Sequence, residues 1–310
     1  MIQHADFDKF SIMINYTTPY FRPPSEAKSF ILQATIGCSH NKCTYCAMYR
    51  NESQKFRMRS LKEIKSIIDY AGSEGLIGNR VFIADGNALV ISTKKLLDII
   101  GYLKRRSPGI ERITMYANVG DILKKSSDDL RILKENGLEM VYIGFESGDD
   151  IVLERIKKGA NFDQTIKAAR KLKQAGIMNS AMVLLGIGGM QRSEEHAYAT
   201  GRLLTEADPE YVGALSLQIR RGAPIYDIWS AGDFVLPGKF AMIRELEIIV
   251  EETNLTNGYF YSNHISNYLP LKAKFPEEKD KMLNSIREVL GSKNERSLRP
   301  DFYRDVINQY

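Results

Sequence analysis

"SFILQATIGCSHNKCTYC", residues 29–46, is an apolar run that meets a glycine and then three cysteines. Its first eight positions read as a buried strand, since Phe30, Ile31, Leu32 and Ile36 leave little for an exposed face. Cys38, Cys43 and Cys46 follow in the spacing C-x4-C-x2-C, and they are all the cysteines of a 310-residue chain. So short a span lets three thiolates converge on one small object. Three readings fit. Zinc would need a fourth ligand, and the nearby candidate, His40, stands awkwardly two residues after Cys38. The thiols are otherwise a chance cluster of free cysteines, or the ligands of an iron–sulfur cluster. A four-iron cluster normally takes four cysteines, so three leave one iron open, as a reactive metal requires.

Outward from this loop, strand and helix patterns alternate. "SLKEIKSIIDYA" (60–71) puts Leu61, Ile64, Ile67, Ile68 and Ala71 on one helical face, and Ser60 with Glu63 has the capping-box pattern. Strands follow at 80–84, 112–118, 139–145, 179–186 and 210–217. Helices are expected at 92–106, 126–137, 162–176 and 193–207, with Gly137 and Gly176 as stops. Six βα-type units of this kind suit a parallel sheet, either open and doubly wound or an incomplete barrel. Beyond about residue 226 the rhythm changes: a helix at 239–253, an aromatic, Asn-rich stretch, and a charged amphipathic helix (276–290) ending at Gly291. The expected division is an N-terminal extension (1–28), a core (29–226) and a C-terminal cap (227–310).

Hydrophobic residues make up 44% of the chain and charged residues 26%, enough for a large core and against global disorder. The net charge of +5 is compatible with an anionic substrate but lacks the dense basic stripe of a dedicated nucleic-acid binder. The N-terminal "MIQHADFDKF" is acidic where a signal peptide is apolar, and "AMVLLGIGGM" (181–190) is too short to span a bilayer. With an odd cysteine count, this points to reduced thiols in the cytoplasm and no membrane.

With an aromatic, Tyr45, just before its last cysteine, the loop resembles that of the radical S-adenosylmethionine (SAM) enzymes, whose usual spacing is one residue shorter between the first two cysteines. Other strand ends extend the resemblance. "ADGNAL", with Asp85, Gly86 and Asn87, falls where the family has a turn whose backbone meets the SAM amino group; the side chains differ, so only the backbone role carries over. "GFESGDDIVLERIKKG" (144–159) resembles the signature of the branch containing oxygen-independent coproporphyrinogen oxidase, the elongator tRNA-modifying subunit and the methylthiotransferases. Glu146 and Ser147 fall at its SAM contacts, and Lys158 stands where an arginine is usual, keeping a cation for the SAM carboxylate but losing the bidentate fork. "LLGIGG" (184–189), with Gly186 and Gly188, resembles the turn beside the adenine, and "RRGAPIY" (220–226) a turn after strand six.

The resemblance covers residues 29–226. It implies an α/β fold, a partial (β/α)6 TIM-type barrel with a short N-terminal strap and an α-rich C-terminal cap. Cys38, Cys43 and Cys46 would hold one [4Fe-4S] cluster, with SAM as the second cofactor and an electron donor such as flavodoxin or ferredoxin. The implied chemistry is one-electron cleavage of SAM at the open iron to a 5′-deoxyadenosyl radical, which takes hydrogen from a substrate; such a cluster is oxygen-sensitive.

All three cysteines are used by that cluster. An auxiliary cluster or two-cysteine methyl transfer is therefore not expected, and neither is a cobalamin or acetyltransferase domain. A small metabolite is the expected substrate, with tRNA the alternative. A non-catalytic iron–sulfur or zinc protein is the rival from another class. His264, in the polar–aromatic stretch "YFYSNHISNYLPLKAKFP" (259–276) with Asn263 and Asn267, is the leading residue for substrate contact or proton transfer. Arg220, with Arg221, could pair with an anion at the barrel mouth. Met48, Tyr49 and Arg50 could wall the cluster pocket. The stretch 15–29 reads as a strap closing the barrel bottom or seam, His196 as a surface or capping residue, His4 as part of a tail, and 272–296 as a solvated helix.

Overall fold

The computed structural model describes residues 16–301. They form two compact units; the first takes residues up to Asn41, Tyr49–Tyr142 and Leu172–Ile177, the second Lys42–Met48, Ile143–Lys171 and Met178 onward.

In the first unit, the opening apolar run forms β1 (Phe30–Gln33) and β2 (Thr35–Ile36), which pairs antiparallel with β3 (Arg57–Met58). Helix α1 (Leu61–Ser73) carries the expected capping box, Ser60 and Glu63 bonding each other's backbone N–H. Then follow β4 (Arg80–Ala84), α2 (Thr93–Arg106), β5 (Arg112–Ala117), α3 (Val119–Lys124), α4 (Ser127–Glu135) and β6 (Leu138–Glu146). A second capping box, Ser126 with Asp129, starts α4, and Gly137 past its end has φ +106°.

The strap reading of the stretch before β1 holds. Tyr16 Oη donates to the Ile31 carbonyl, and the Gln33 side chain exchanges hydrogen bonds with Thr17. These contacts cover β1, an edge strand whose unpaired groups would otherwise be open to another chain. Lower down, the buried Glu26 carboxylate accepts from Arg112 (3.0 Å), Arg80 (3.4 Å) and Tyr142 (2.5 Å). Both arginines open their strands, so the strap is clamped at the N-terminal strand ends.

The second unit holds α5 (Asp150–Arg155), most of α6 (Phe162–Gln174), β7 (Met178–Leu185), α7 (Ser193–Ala207), β8 (Tyr211–Ser216), α8 (Pro224–Ser230), α9 (Lys239–Glu252), β9 (Gly258–Tyr261), β10 (Lys272–Phe275) and α10 (Lys279–Ser292). The strands hydrogen-bond in the order β1-β4-β5-β6-β7-β8-β9-β10. The pairs β1/β4, β4/β5, β7/β8 and β8/β9 are parallel, and β9/β10 is antiparallel.

Two expectations about the C-terminal region need correction. Residues 258–275 contribute two strands to the sheet, where the sequence reading placed a loop and the start of a helix. β9 alternates a buried Phe260 with exposed or half-buried Tyr259 and Tyr261, a period-two pattern only four residues long. Gly291 does not stop α10, which runs to Ser292; Lys293, at φ +46°, makes the left-handed cap instead. His4 lies outside the described residues.

Candidate functional site

In the first unit the chain leaves β2 through Gly37, whose φ is +71° and whose added Cβ would lie 2.1 Å from the Gln54 carbonyl oxygen. Only glycine fits there. Next comes Cys38, and the turn after β4 lies directly against it. A Cβ on Gly86 would sit 2.6 Å from the Gly37 carbonyl oxygen and 2.8 Å from both Cys38 Cα and Cβ. The turn at Asp85–Asn87 thus presses its backbone onto the first cysteine.

The side chains of this turn, given no part by the sequence reading, are pins. Asn87 Oδ1 accepts from the Ser39 N–H (3.0 Å), while its Nδ2 donates to Ser39 Oγ and Asp121 Oδ2, both at 2.6 Å. Asp85 Oδ1 accepts from Tyr49 Oη (2.8 Å), and Oδ2 from Gln33 Nε2 (3.1 Å). Burial pushes the Asp85 carboxyl up to about 6. At the loop's return, Asn41 Nδ2 donates to the Tyr49 carbonyl and Arg50 Nη1 to the Asn41 carbonyl. Tyr49 and Arg50 therefore tie the loop to its own start, while Met48 is exposed.

In the second unit, the Thr44 N–H donates to the Ile156 carbonyl, and the Ile225 N–H to the Thr44 carbonyl, each at 2.9 Å. Cys43 and Cys46 flank this double anchor and are half-buried. Tyr45 packs on a buried apolar cluster that includes Leu153, Ile156, Ile187 and Ile225. Its phenol is pushed well up by burial, then by the Glu146 carboxylate, to which it is hydrogen-bonded, and by Cys43 and Cys46.

Glu146 ends β6 at φ +63°, and its side chain folds back over Gly144, where a Cβ would lie 1.8 Å from Glu146 Oε1. Lys158 Nζ donates to that same oxygen at 2.8 Å. The lysine expected to face a ligand carboxylate is thus paired with Glu146. Ser147, expected beside SAM, is fully buried, and its Oγ meets His196 Nδ1 at 2.7 Å.

His196 corrects the sequence reading: it is completely buried, not a surface or capping residue. Burial lowers its imidazole to about 4. Its Nε2 faces Glu245 Oε2 at 3.9 Å, and Glu245 in turn accepts from the Gly186 N–H (2.5 Å) and Ser193 Oγ (2.6 Å). Burial raises the Glu245 carboxyl to about 7. A polar chain thus runs from the end of β6 to the glycine-rich turn after β7. That turn needs its glycines: Gly186 has φ +83°, and a Cβ on Gly188 would lie 2.7 Å from the Arg192 carbonyl oxygen. Sequence reasoning missed His196 and Glu245, yet a signal existed. His196 shares one helical face with Ala197, Thr200, Gly201 and Leu204, all buried.

The two substrate candidates come together. The Arg220 charge, after burial and Arg299, helps hold the His264 imidazole below its usual value. His264 Nδ1 is 2.7 Å from Ser266 Oγ, and Arg220 Nη2 donates to Gln218 Oε1 at 3.2 Å. Arg221 Nε donates instead to Tyr226 Oη. Asn267 is structural: its buried amide donates to the Ala214 and Ser262 carbonyls.

The three cysteines are free of disulfides. Among the described residues, no three His, Cys, Asp or Glu side chains are arranged around a single metal ion. A four-iron cluster makes a different demand, since each thiolate takes its own iron. A set of three half-buried thiols, none in a disulfide, in one pinned loop fits that demand.

A family model described as the Radical SAM superfamily matches residues 32–200, more than half of the chain, and the chain belongs to that superfamily. Its cofactors are those of the superfamily, a [4Fe-4S] cluster and SAM. Among curated proteins it is 25% identical to the heme chaperone HemW of Bacillus subtilis, over 61% of this chain and 49% of that protein. It is 23% identical to the threonylcarbamoyladenosine tRNA methylthiotransferase MtaB of Rickettsia prowazekii, over 80% of this chain and 61% of that protein. The chain spans between 38% and 61% of the length of such relatives. Of solved structures, the cobalamin-dependent SAM radical enzyme OxsB superposes with TM-score 0.55 at 17% identity, over 72% of this chain and 41% of that one. Methylornithine synthase (PylB) superposes with TM-score 0.50 at 15% identity, over 82% and 75%. These likenesses show the fold, a partial TIM-type barrel core. No helix among the described residues is long and apolar enough to cross a membrane.

Proposed function

We propose that this chain is a radical SAM enzyme in which Cys38, Cys43 and Cys46 hold one [4Fe-4S] cluster. The observation that carries this reading is the cysteine loop itself. It presents three thiols outside any disulfide, pinned at Ser39 by Asn87 and at Thr44 by the Ile156 and Ile225 backbone. When bound, the cluster and SAM together supply one-electron cleavage of the sulfonium and a radical able to abstract hydrogen.

The protein's own residues bind, orient and exclude water. The backbone of Asp85, Gly86 and Asn87 takes the amino group of SAM. Gly186 and Gly188 let the main chain approach the adenine, and Tyr45 closes the loop side. Glu146 supplies an acceptor held in place by Lys158 and Tyr45, while Ser147 acts through the backbone it fixes. His264, with an imidazole held below its usual value by burial and neighbouring cations, and Arg220 face the substrate. A low-potential donor such as flavodoxin or ferredoxin delivers the electron, and the cytoplasm keeps the thiols reduced. The small charge excess favours a small-molecule substrate, with a polynucleotide such as tRNA the alternative.

The test is anaerobic reconstitution with iron and sulfide, dithionite reduction, and electron paramagnetic resonance with and without SAM, followed by an assay for 5′-deoxyadenosine. A signal that shifts with SAM, with deoxyadenosine formed, supports the reading. A cluster indifferent to SAM makes the chain a carrier, and tight zinc without a competent cluster sinks the mechanism.

A further inference from the structure

The second unit carries an open aromatic face that the cofactor chemistry does not use. Along β7 and β8 half-exposed and buried residues alternate strictly, and β9 and β10 continue the pattern. The strand registers place two rows across this face. One runs Ser180, Tyr211, Tyr259, Lys274; the other runs Met182, Gly213, Tyr261, Lys272. On the opposite, buried face the equivalent aromatics are Phe260 and Phe275, stacked at 5.6 Å and fully covered. The sheet thus uses phenylalanine where it is sealed and tyrosine where it is open.

The three tyrosines form one array. Tyr211 and Tyr259 have ring centroids 6.0 Å apart at 13°, and Tyr259 and Tyr261 are 6.1 Å apart at 17°. Stacked bases lie about 3.4 Å apart, so insertion between two rings would need roughly 7 Å, and a ligand must stack on the outside of the array. Tyr259 remains 41% exposed, and Gly213 leaves a trough beside Tyr261 because it has no side chain. Lys272 and Lys274 bound the array as the cross-strand partners of Tyr261 and Tyr259. Glu277 reaches Lys274 at 3.1 Å, but this ion pair is exposed on both sides and exchanges readily for another anion. Cross-strand stacking alone would explain rings packed on each other. It does not explain one exposed and two half-exposed tyrosines set beside cations, a pairing that suits bases on a phosphate backbone.

We propose that this face of β7–β10 is a platform for the unpaired nucleotides of a polynucleotide strand. Tyr211, Tyr259 and Tyr261 stack on bases, and Lys272 and Lys274 meet phosphates. His264 lies three residues beyond Tyr261, within roughly 10 Å of chain, so a strand on the platform passes beside the substrate candidates His264 and Arg220. That the strand is also the reaction's substrate rests on the proposed enzyme activity with its polynucleotide alternative; binding to the platform does not.

The test uses the anaerobically reconstituted protein and fluorescence anisotropy with a fluorescein-labelled single-stranded 12-mer RNA, the same sequence as DNA, and the duplex RNA. Single strands should bind and the duplex should bind less tightly. Tyr259→Ala and Tyr261→Ala should each weaken binding roughly 5- to 150-fold, while Tyr259→Phe stays near wild type. Lys272→Ala should reduce the slope of log affinity against log salt by about 0.7. Lys272→Glu, at an exposed site, serves as a second variant should an alanine variant melt early, and should abolish binding at moderate salt. DNA bound as well as RNA supports the platform and places discrimination elsewhere. Binding unchanged by both tyrosine variants, a duplex bound as tightly as the single strand, or no binding at 50 mM salt overturns the proposal. Deoxyadenosine formation in the same preparation reads the enzyme activity separately, so either idea can fail alone.

Discussion

Replacing Glu245 by glutamine should change how the protein's stability depends on pH. The carboxylate is 1% exposed, and its burial lifts it from the ordinary 4.5 to about 7. A carboxyl raised in the folded state favours folding most below its unfolded value, and that advantage is lost as pH rises from 4.5 through about 7. The shift of 7 minus 4.5, at about 1.4 kcal/mol per pH unit, makes the loss about 3 kcal/mol. His196 acts in the opposite direction. Its folded value of about 4 lies below the ordinary 6.5, so its contribution is full above 6.5 and lost as pH falls toward 4. Between about 4.5 and 6.5 the two slopes cancel, and the pair's combined effect in the wild type is close to level.

Glu245→Gln removes one slope and keeps the contacts. The amide oxygen accepts from the Gly186 N–H, and the amide nitrogen donates to Ser193 Oγ. Urea unfolding followed by circular dichroism from pH 4.5 to 8, with the m-value unchanged, measures the difference. The variant should gain about 3 kcal/mol on the wild type across that range. It should also show the bare His196 slope, weakening as pH falls below 6.5. A difference between variant and wild type that is the same at pH 5 and pH 8 would refute the reasoning.

Three further outcomes follow from particular contacts. Gly86→Ala drives a methyl into the backbone at Gly37 and Cys38, and should lower iron and sulfide per chain while circular dichroism stays native-like. Cys43→Ala should abolish the brown cluster absorption, measured after anaerobic reconstitution. Glu26→Ala leaves Arg80 and Arg112 without their buried partner, and should destabilise by about 3 kcal/mol in urea unfolding.

Local signals were readable wherever a short segment decides its own conformation. The Ser60 and Glu63 box, the Gly137 and Gly176 stops and the six βα units all appear as expected. Signals that depend on packing were not readable. β9 is four residues long, too short for its alternation to stand out from an aromatic loop, and β10 hides in a charged stretch that also leads into a helix. Asn87 looked like one polar residue in a turn, yet it fixes Ser39 because the register of β4 brings it there.

The sequence by itself determined the chemistry available: three thiols within nine residues, glycines where main chain must pass close, and a run of strands and helices that only a parallel α/β core satisfies. Those follow from covalent spacing and from side-chain periodicity, both local properties. The tertiary structure alone decided where charge is buried. His196 is an ordinary helix residue until α7 packs close on α9, where a Cβ on Gly201 would lie 2.4 Å from Glu252 Cβ. That approach removes water from the imidazole and from Glu245 together. Desolvation comes from distant segments meeting, and no short stretch of sequence records it.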